Sequence, residues 1–140
     1  MSYKVVYFTR TGTSRRIAEK IAVKLSCELI EITDNMKWNG ILGFIRGGFY
    51  SVTDKPIDYH LKGNVTEYDD IIAVSPMWAG KPSPTMRSFL KTKSSEKINL
   101  VVASGNSALQ DRAGYKSVFD ISEKAKNEDS VIDELVNQLK

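Results

Sequence analysis

Five short apolar runs punctuate the chain, at residues 3–8, 28–32, 70–74, 98–103 and 117–121. Two of them contain unbroken apolar stretches, Ile71-Ile72-Ala73-Val74 and Leu100-Val101-Val102-Ala103. A strand with no polar alternation is covered on both faces, which is the habit of parallel sheets. Between the runs the period changes. Ile17, Ala18, Ile21, Ala22 and Leu25 recur at helical spacing, and so do Val131, Ile132, Leu135, Val136 and Leu139 near the other end. Ser83 followed by Pro84 predicts the N-cap and first position of a third helix, which buries Met86, Phe89 and Leu90. Ser130 with Asp133 predicts a capping box for the last helix, with Asp133 and Glu134 complementing its dipole.

This alternation predicts one α/β domain over residues 1–140: a three-layer sandwich with a five-stranded parallel sheet and helices on both faces. Two connections stand out. Residues 33–67 are too many for a bare loop, and Ile41, Leu42, Ile45 and Phe49 predict a helix there, interrupted by Gly43, Gly47 and Gly48. The Gly43 and Gly47 spacing fits a membrane-helix dimer motif, but no apolar 20-residue stretch surrounds it, so close packing of a short helix is expected instead. Residues 104–116 leave room for only one or two helical turns.

Composition narrows the chemistry. The 41% hydrophobic and 26% charged content is that of an ordinary globular domain. The net charge of +3 is spread along the chain and interleaved with acids, so no basic face for nucleic acid is expected. No apolar stretch approaches the roughly 20 residues that span a bilayer. No leader-like segment precedes the first strand, and a cytoplasmic location is the expectation. Cys27 and His60 are each the single residue of their type. An internal disulfide, a cysteine-rich metal site and a histidine-dependent triad therefore have little to work with. Cys27 is expected to be a buried, inert thiol and His60 a solvated side chain.

In an open parallel sheet, ligands bind beyond the carboxyl ends of the strands. Three segments lie there. Thr9-Arg10-Thr11-Gly12-Thr13-Ser14 offers four hydroxyls and a glycine where a helix starts, a place suited to a phosphate. A simpler alternative is a polar loop whose Thr or Ser caps the helix. No lysine follows Gly12 as a nucleotide-hydrolysing loop requires, and no GxGxxG pattern is present. The second segment, Ser75-Pro76-Met77-Trp78-Ala79-Gly80-Lys81-Pro82, sets a tryptophan among turn residues; its ring could stack on a flat ligand or pack at the domain's rim or a protein interface. The third, Ser104-Gly105-Asn106-Ser107, is small and polar.

The first segment, with its preceding strand and the following Ile17-Ala18, resembles the phosphate loop of the flavodoxin family for flavin mononucleotide (FMN). The second resembles that family's loop against the isoalloxazine ring, and residues 40–50 resemble a glycine-rich stretch of some short flavodoxin-like proteins. The resemblance covers essentially the whole chain and implies the strand order 2-1-3-4-5. It implies that Thr9, Arg10, Thr11, Gly12, Thr13 and Ser14 hold the ribityl phosphate. Pro76, Met77, Trp78, Ala79 and Gly80 would line the ring, and Ser104, Gly105 and Asn106 would approach its pyrimidine edge. Tyr115 is the candidate for a second aromatic beside the ring. The implied function is non-covalent FMN binding and electron transfer to redox partner proteins. The alternatives are a small NAD(P)H-dependent flavin or quinone reductase, with Trp38, Phe44 and Phe49 supplying a cover, and a binding module without flavin.

Overall fold

The computed structural model describes residues 3–53 and 55–140. Met1 and Ser2, on which the leader reading bears, lie outside the described residues. Five parallel strands form the centre: β1 (Tyr3–Tyr7), β2 (Glu28–Asp34), β4 (Asp70–Trp78), β6 (Ile98–Ser104) and β7 (Ser117–Ser122), in the spatial order β2-β1-β4-β6-β7. This is the expected 2-1-3-4-5 arrangement, the fold of a flavodoxin-like three-layer sandwich. Two short antiparallel additions make seven strands among the described residues. Strand β3 (Tyr59–Leu61) pairs with β2, and β5 (Lys81–Pro82) pairs with β4.

The strand period of two sorts the core onto two faces. Val5, Ile72, Val74, Val101 and Ile121 point to one side, where they meet Ile17 and Ile21 of helix α1 (Thr13–Leu25) and Ile132 and Leu135 of α4 (Glu128–Leu139). Val6, Ile30, Ile71, Ala73, Leu100 and Val102 point to the other, against Met86 and Phe89 of α3 (Pro84–Leu90) and against Trp38. Ile71, Ile72, Ala73 and Val74 are fully buried, as their unbroken apolar run requires. Buried Asn99 is satisfied within the sheet: its Nδ2 donates to the Ile71 carbonyl at 3.3 Å, and its Oδ1 accepts from Ser117 Oγ at 2.7 Å. No helix among the described residues is long and apolar enough to cross a membrane.

The long connection holds helix α2 (Gly40–Val52) and β3. Gly43, Gly47 and Ser51 form its buried stripe, so the glycines serve close packing, as the spacing suggested. A Cβ on Gly43 would come within 2.1 Å of the Trp38 carbonyl carbon. Ser83 caps α3 by accepting from the Met86 N–H at 3.3 Å, with Pro84 at the first position.

Three expectations are corrected. Residues 104–116 contain no helical turn; side chains anchor the segment instead. Ser104 Oγ accepts from Ser107 N–H at 3.1 Å, and Asp120 Oδ1 accepts from Leu109 N–H at 3.0 Å, which seats Leu109 in the core. The last helix starts at Asn127 rather than at a Ser130 capping box. Asn127 Oδ1 accepts from Ser122 N–H at 2.8 Å, tying the helix start to the end of β7, and Glu128 and Asp129 fill the first turn. Asp133, one turn further on, pairs with Lys24 at 3.3 Å. Cys27 is half-buried rather than buried; burial still pushes its thiol pKa up. His60 is exposed on β3.

Candidate functional site at the carboxyl ends of the strands

Strand β1 ends at Tyr7, and Phe8 N–H still donates to the Val74 carbonyl at 3.1 Å. The chain then turns sharply. Thr9 Oγ1 accepts from Gly12 N–H at 2.9 Å, and Gly12 has φ +99°, a left-handed conformation that glycine adopts without strain. The first helical bond of α1 runs from Arg16 N–H to the Gly12 carbonyl at 3.0 Å. No side chain caps this helix and its first turn carries no acid, so the positive end of α1 is left uncompensated by its own chain. Such a start attracts an anion.

These residues form one wall of a cavity of about 450 Å³. Thr9, Arg10, Thr11, Thr13 and Ser14 face Pro76 and Met77 of β4 and Ser104 and Gly105 at the end of β6. Nine of the fourteen positions read from the sequence thus meet around one space. Trp78 and Ala79 line a neighbouring recess of about 400 Å³, which shares Arg10 and Met77 with the first. Gly80 lies around the corner, in a recess with Leu109 and Tyr115. Asn106 is exposed and is not part of the first cavity's lining, and Gly12 shapes the turn from behind.

The second segment is not a loop, as its proline and glycine suggested. Strand β4 continues through Pro76 and Met77 to Trp78, and a two-residue turn leads into β5, pairing Trp78 with Lys81. Ala79 and Gly80 have φ +54° and +79°, the sign pattern of a type I′ hairpin. A left-handed alanine is strained, by roughly 1 kcal/mol or more. Behind the turn, Ser75 Oγ accepts from Ser83 N–H at 3.0 Å, which joins β4 to the cap of α3.

Trp78 is half-buried and held edge-to-face by two rings. Its centroid lies 6.0 Å from Phe8 and 5.1 Å from Trp38. Trp38 is fixed in turn by Asp34, whose carboxylate accepts from the indole Nε1 at 3.1 Å, from Met36 N–H at 2.9 Å and from Thr85 Oγ1. Gly47 packs against the Trp78 ring: a Cβ there would lie 3.6 Å from it, in ordinary contact. The second recess is therefore walled by two tryptophans, Met77, Phe44 and the glycine stripe of α2, with Ser51 Oγ buried there and lacking a hydrogen-bond partner.

A fourth wall of the first cavity was not read from the sequence: Ser122, Glu123, Lys126 and Glu128, from the end of β7 to the start of α4. Glu128 accepts a forked pair of bonds from Arg16, at 2.6 and 3.1 Å, and one from Lys20 at 2.7 Å. The Arg16 hydrogen bonds, aided by Lys20, hold its pKa down at about 2. Its negative charge is thereby neutralised at the mouth of an anion-seeking cavity. Arg16 and Glu128 are 112 positions apart, and no local pattern marks the pair. Gln110 also went unmarked; it closes over Gly80.

No family model matches the sequence, and no curated protein matches it either. Solved structures do. A candidate flavoprotein from Bacteroides eggerthii DSM 20697 superimposes with a TM-score of 0.75 at 16% identity, covering 96% of this chain and 95% of that one. Another from Bacteroides uniformis ATCC 8492 gives 0.73 at 16% identity, covering 96% and 97%. A flavoprotein from Lactobacillus acidophilus NCFM, solved in complex with FMN, gives 0.66 at 15% identity, covering 92% and 97%. At such identities the likeness is one of fold. The chain has a flavodoxin-like fold over its whole described length, with its candidate site where that fold gathers its strand ends.

Proposed function

We propose that this protein binds FMN non-covalently in the 450 Å³ cavity and passes electrons between redox partner proteins through it. The uncapped, acid-free start of α1, facing Pro76, Met77, Ser104 and Gly105 across that cavity, carries the reading. The residues present fit such a group. Backbone N–H groups and the hydroxyls of Thr11, Thr13 and Ser14 suit a phosphate dianion, Arg10 and Lys126 add charge beside Glu123, and Glu128 is already neutralised by Arg16 and Lys20. Pro76 and Met77 would carry the ring, with the Trp78-Ala79-Gly80 hairpin beyond them and Ser104 and Gly105 towards its polar edge; Asn106 lies outside the lining. Bound FMN supplies the one- and two-electron chemistry; the chain supplies binding, orientation and the polarity around the ring. The likeness to an FMN-bound flavoprotein supports this reading.

The second recess favours a further reading, a small NAD(P)H-dependent flavin or quinone reductase. It adjoins the first cavity through Arg10 and Met77, and its tryptophan walls suit a second flat molecule. Steady oxidation of NADH or NADPH by the FMN-loaded protein, with a flavin or quinone acceptor, distinguishes the two. A carrier leaves the nicotinamide absorbance unchanged until a separate reductase is added; a reductase consumes it unaided.

A further inference from the structure

Helix α2 carries its amphipathicity inside out. Gly43, Gly47 and Ser51 face the domain, while Ile41, Leu42, Phe44, Ile45, Phe49 and Val52 stand outward, each between 49% and 81% exposed. On the helical period Ile41, Ile45, Phe49 and Val52 form one stripe, with Leu42 and Phe44 on its shoulders. Six such side chains present roughly 800 Å² of apolar surface, where the largest patch on a typical monomer is about 300–600 Å². A standard specific interface takes about 800 Å² from each partner.

The charges around the stripe say what covers it. Arg46 is the one charged residue of residues 40–52, and its Nη1 donates to the Lys37 carbonyl at 2.6 Å, away from the stripe. A charged partner would find no counter-charge there. A helix that lies in a bilayer surface sets a Lys- and Arg-rich face opposite its apolar one. The opposite face of α2 is glycine and serine packed on Trp38 and Trp78. A second apolar stripe of the same size is the matching surface. We propose that α2 packs on α2 of a second copy of this chain in an isologous, two-fold interface. Lys55, whose Nζ lies 5.7 Å from the Phe49 ring centroid, then sits at the polar rim. This dimer does not depend on the FMN reading.

Sedimentation of the full chain tests it, at about 100 µM, above the micromolar range in which a weak specific interface of this size dissociates. The expected species has twice the 15.7 kDa chain mass, and the double variant I41E/I45E sediments at the single-chain mass with unchanged far-UV circular dichroism. A wild-type monomer at that concentration overturns the proposal, as does a folded I41E/I45E that stays dimeric. Should a wild-type monomer float with vesicles of phosphatidylcholine and phosphatidylglycerol, a lipid surface is the occupant instead. Ile45→Cys in a Cys27→Ser background gives an independent reading: rapid inter-chain disulfide formation is expected, and a chain that stays monomeric under oxidation contradicts the interface.

Discussion

Gln110 fills the space that a side chain at position 80 would need: a Cβ on Gly80 would lie 2.4 Å from Gln110 Cδ, while Gln110 N–H donates to the Gly80 carbonyl at 3.2 Å. The tip of the β4 and β5 hairpin is thus clamped to the segment after β6. The exposed Gln110 side chain can swing aside, but Gly80 has φ +79°, so Gly80→Ala strains the backbone whatever the space. The expected loss is about 1–2 kcal/mol, a fall of roughly 4–8 °C in Tm for a domain of this size. Because the hairpin would adjoin the flavin ring, the midpoint potentials of bound FMN should shift as well. Unchanged potentials in a folded Gly80→Ala protein would remove the hairpin from the ring's surroundings.

Two glycines of α2 should respond in opposite directions. Gly43→Ala drives a Cβ into the Trp38 backbone and should destabilise by about 1–3 kcal/mol. A Cβ on Gly48 meets nothing within 4 Å, so Gly48→Ala should stabilise by roughly 0.5–1 kcal/mol through helix propensity. Thermal melts of the two variants check this, and a tolerated Gly43→Ala would contradict the packing of α2 on Trp38.

The Glu128 cluster predicts an acid-dependent stability. Its carboxyl is lowered from 4.5 to about 2 in the folded protein, so its contribution is full above pH 4.5 and disappears as pH falls towards 2. With Arg16 more than half exposed, screening leaves about 1–2 kcal/mol. Glu128→Gln should lower stability at pH 7 and flatten the loss between pH 5 and 2 relative to wild type, roughly the window of that shift. Parallel pH profiles of the two proteins would sink the idea.

Much of the fold was legible because its signals are local. The unbroken run at Ile71-Ile72-Ala73-Val74 announced a buried central strand, and Ser83 with Pro84 announced the start of α3. What escaped depends on partners distant in sequence. Nothing near residue 109 shows that Asp120 will satisfy its backbone and forbid a helix. Asn127 outcompetes Ser130 for the start of α4 because its amide reaches back to Ser122 and Asp120. Trp78 read as a loop residue because Pro76 and Gly80 punctuate its surroundings, yet pairing with Lys81 carries the strand through it. At the cavity, the convergence of residues 9–14 with Met77 follows from the strand-end rule, whereas Arg16, Lys126 and Glu128 converge only in three dimensions.

The proposed phosphate site can be probed one group at a time. Thr13→Ala removes one hydroxyl from the cavity without touching the core. The loss of one hydrogen bond to a charged group, about 1.5 kcal/mol, should weaken FMN roughly tenfold. Arg10→Ala should weaken it similarly at low salt and less at high salt, since that contribution is screened. Fluorescence titration at two ionic strengths reads both, and full affinity in both variants would place the phosphate elsewhere.

Whether the cavity binds FMN decides the proposed function most directly. Thermal melting of the purified protein, with and without FMN in excess and beside its visible spectrum, tests that claim. With FMN at about 100 times its Kd, the expected result is roughly 2.7 kcal/mol of added stability, a rise of several degrees in Tm, and a yellow protein. A colourless protein whose melting temperature does not move would contradict it.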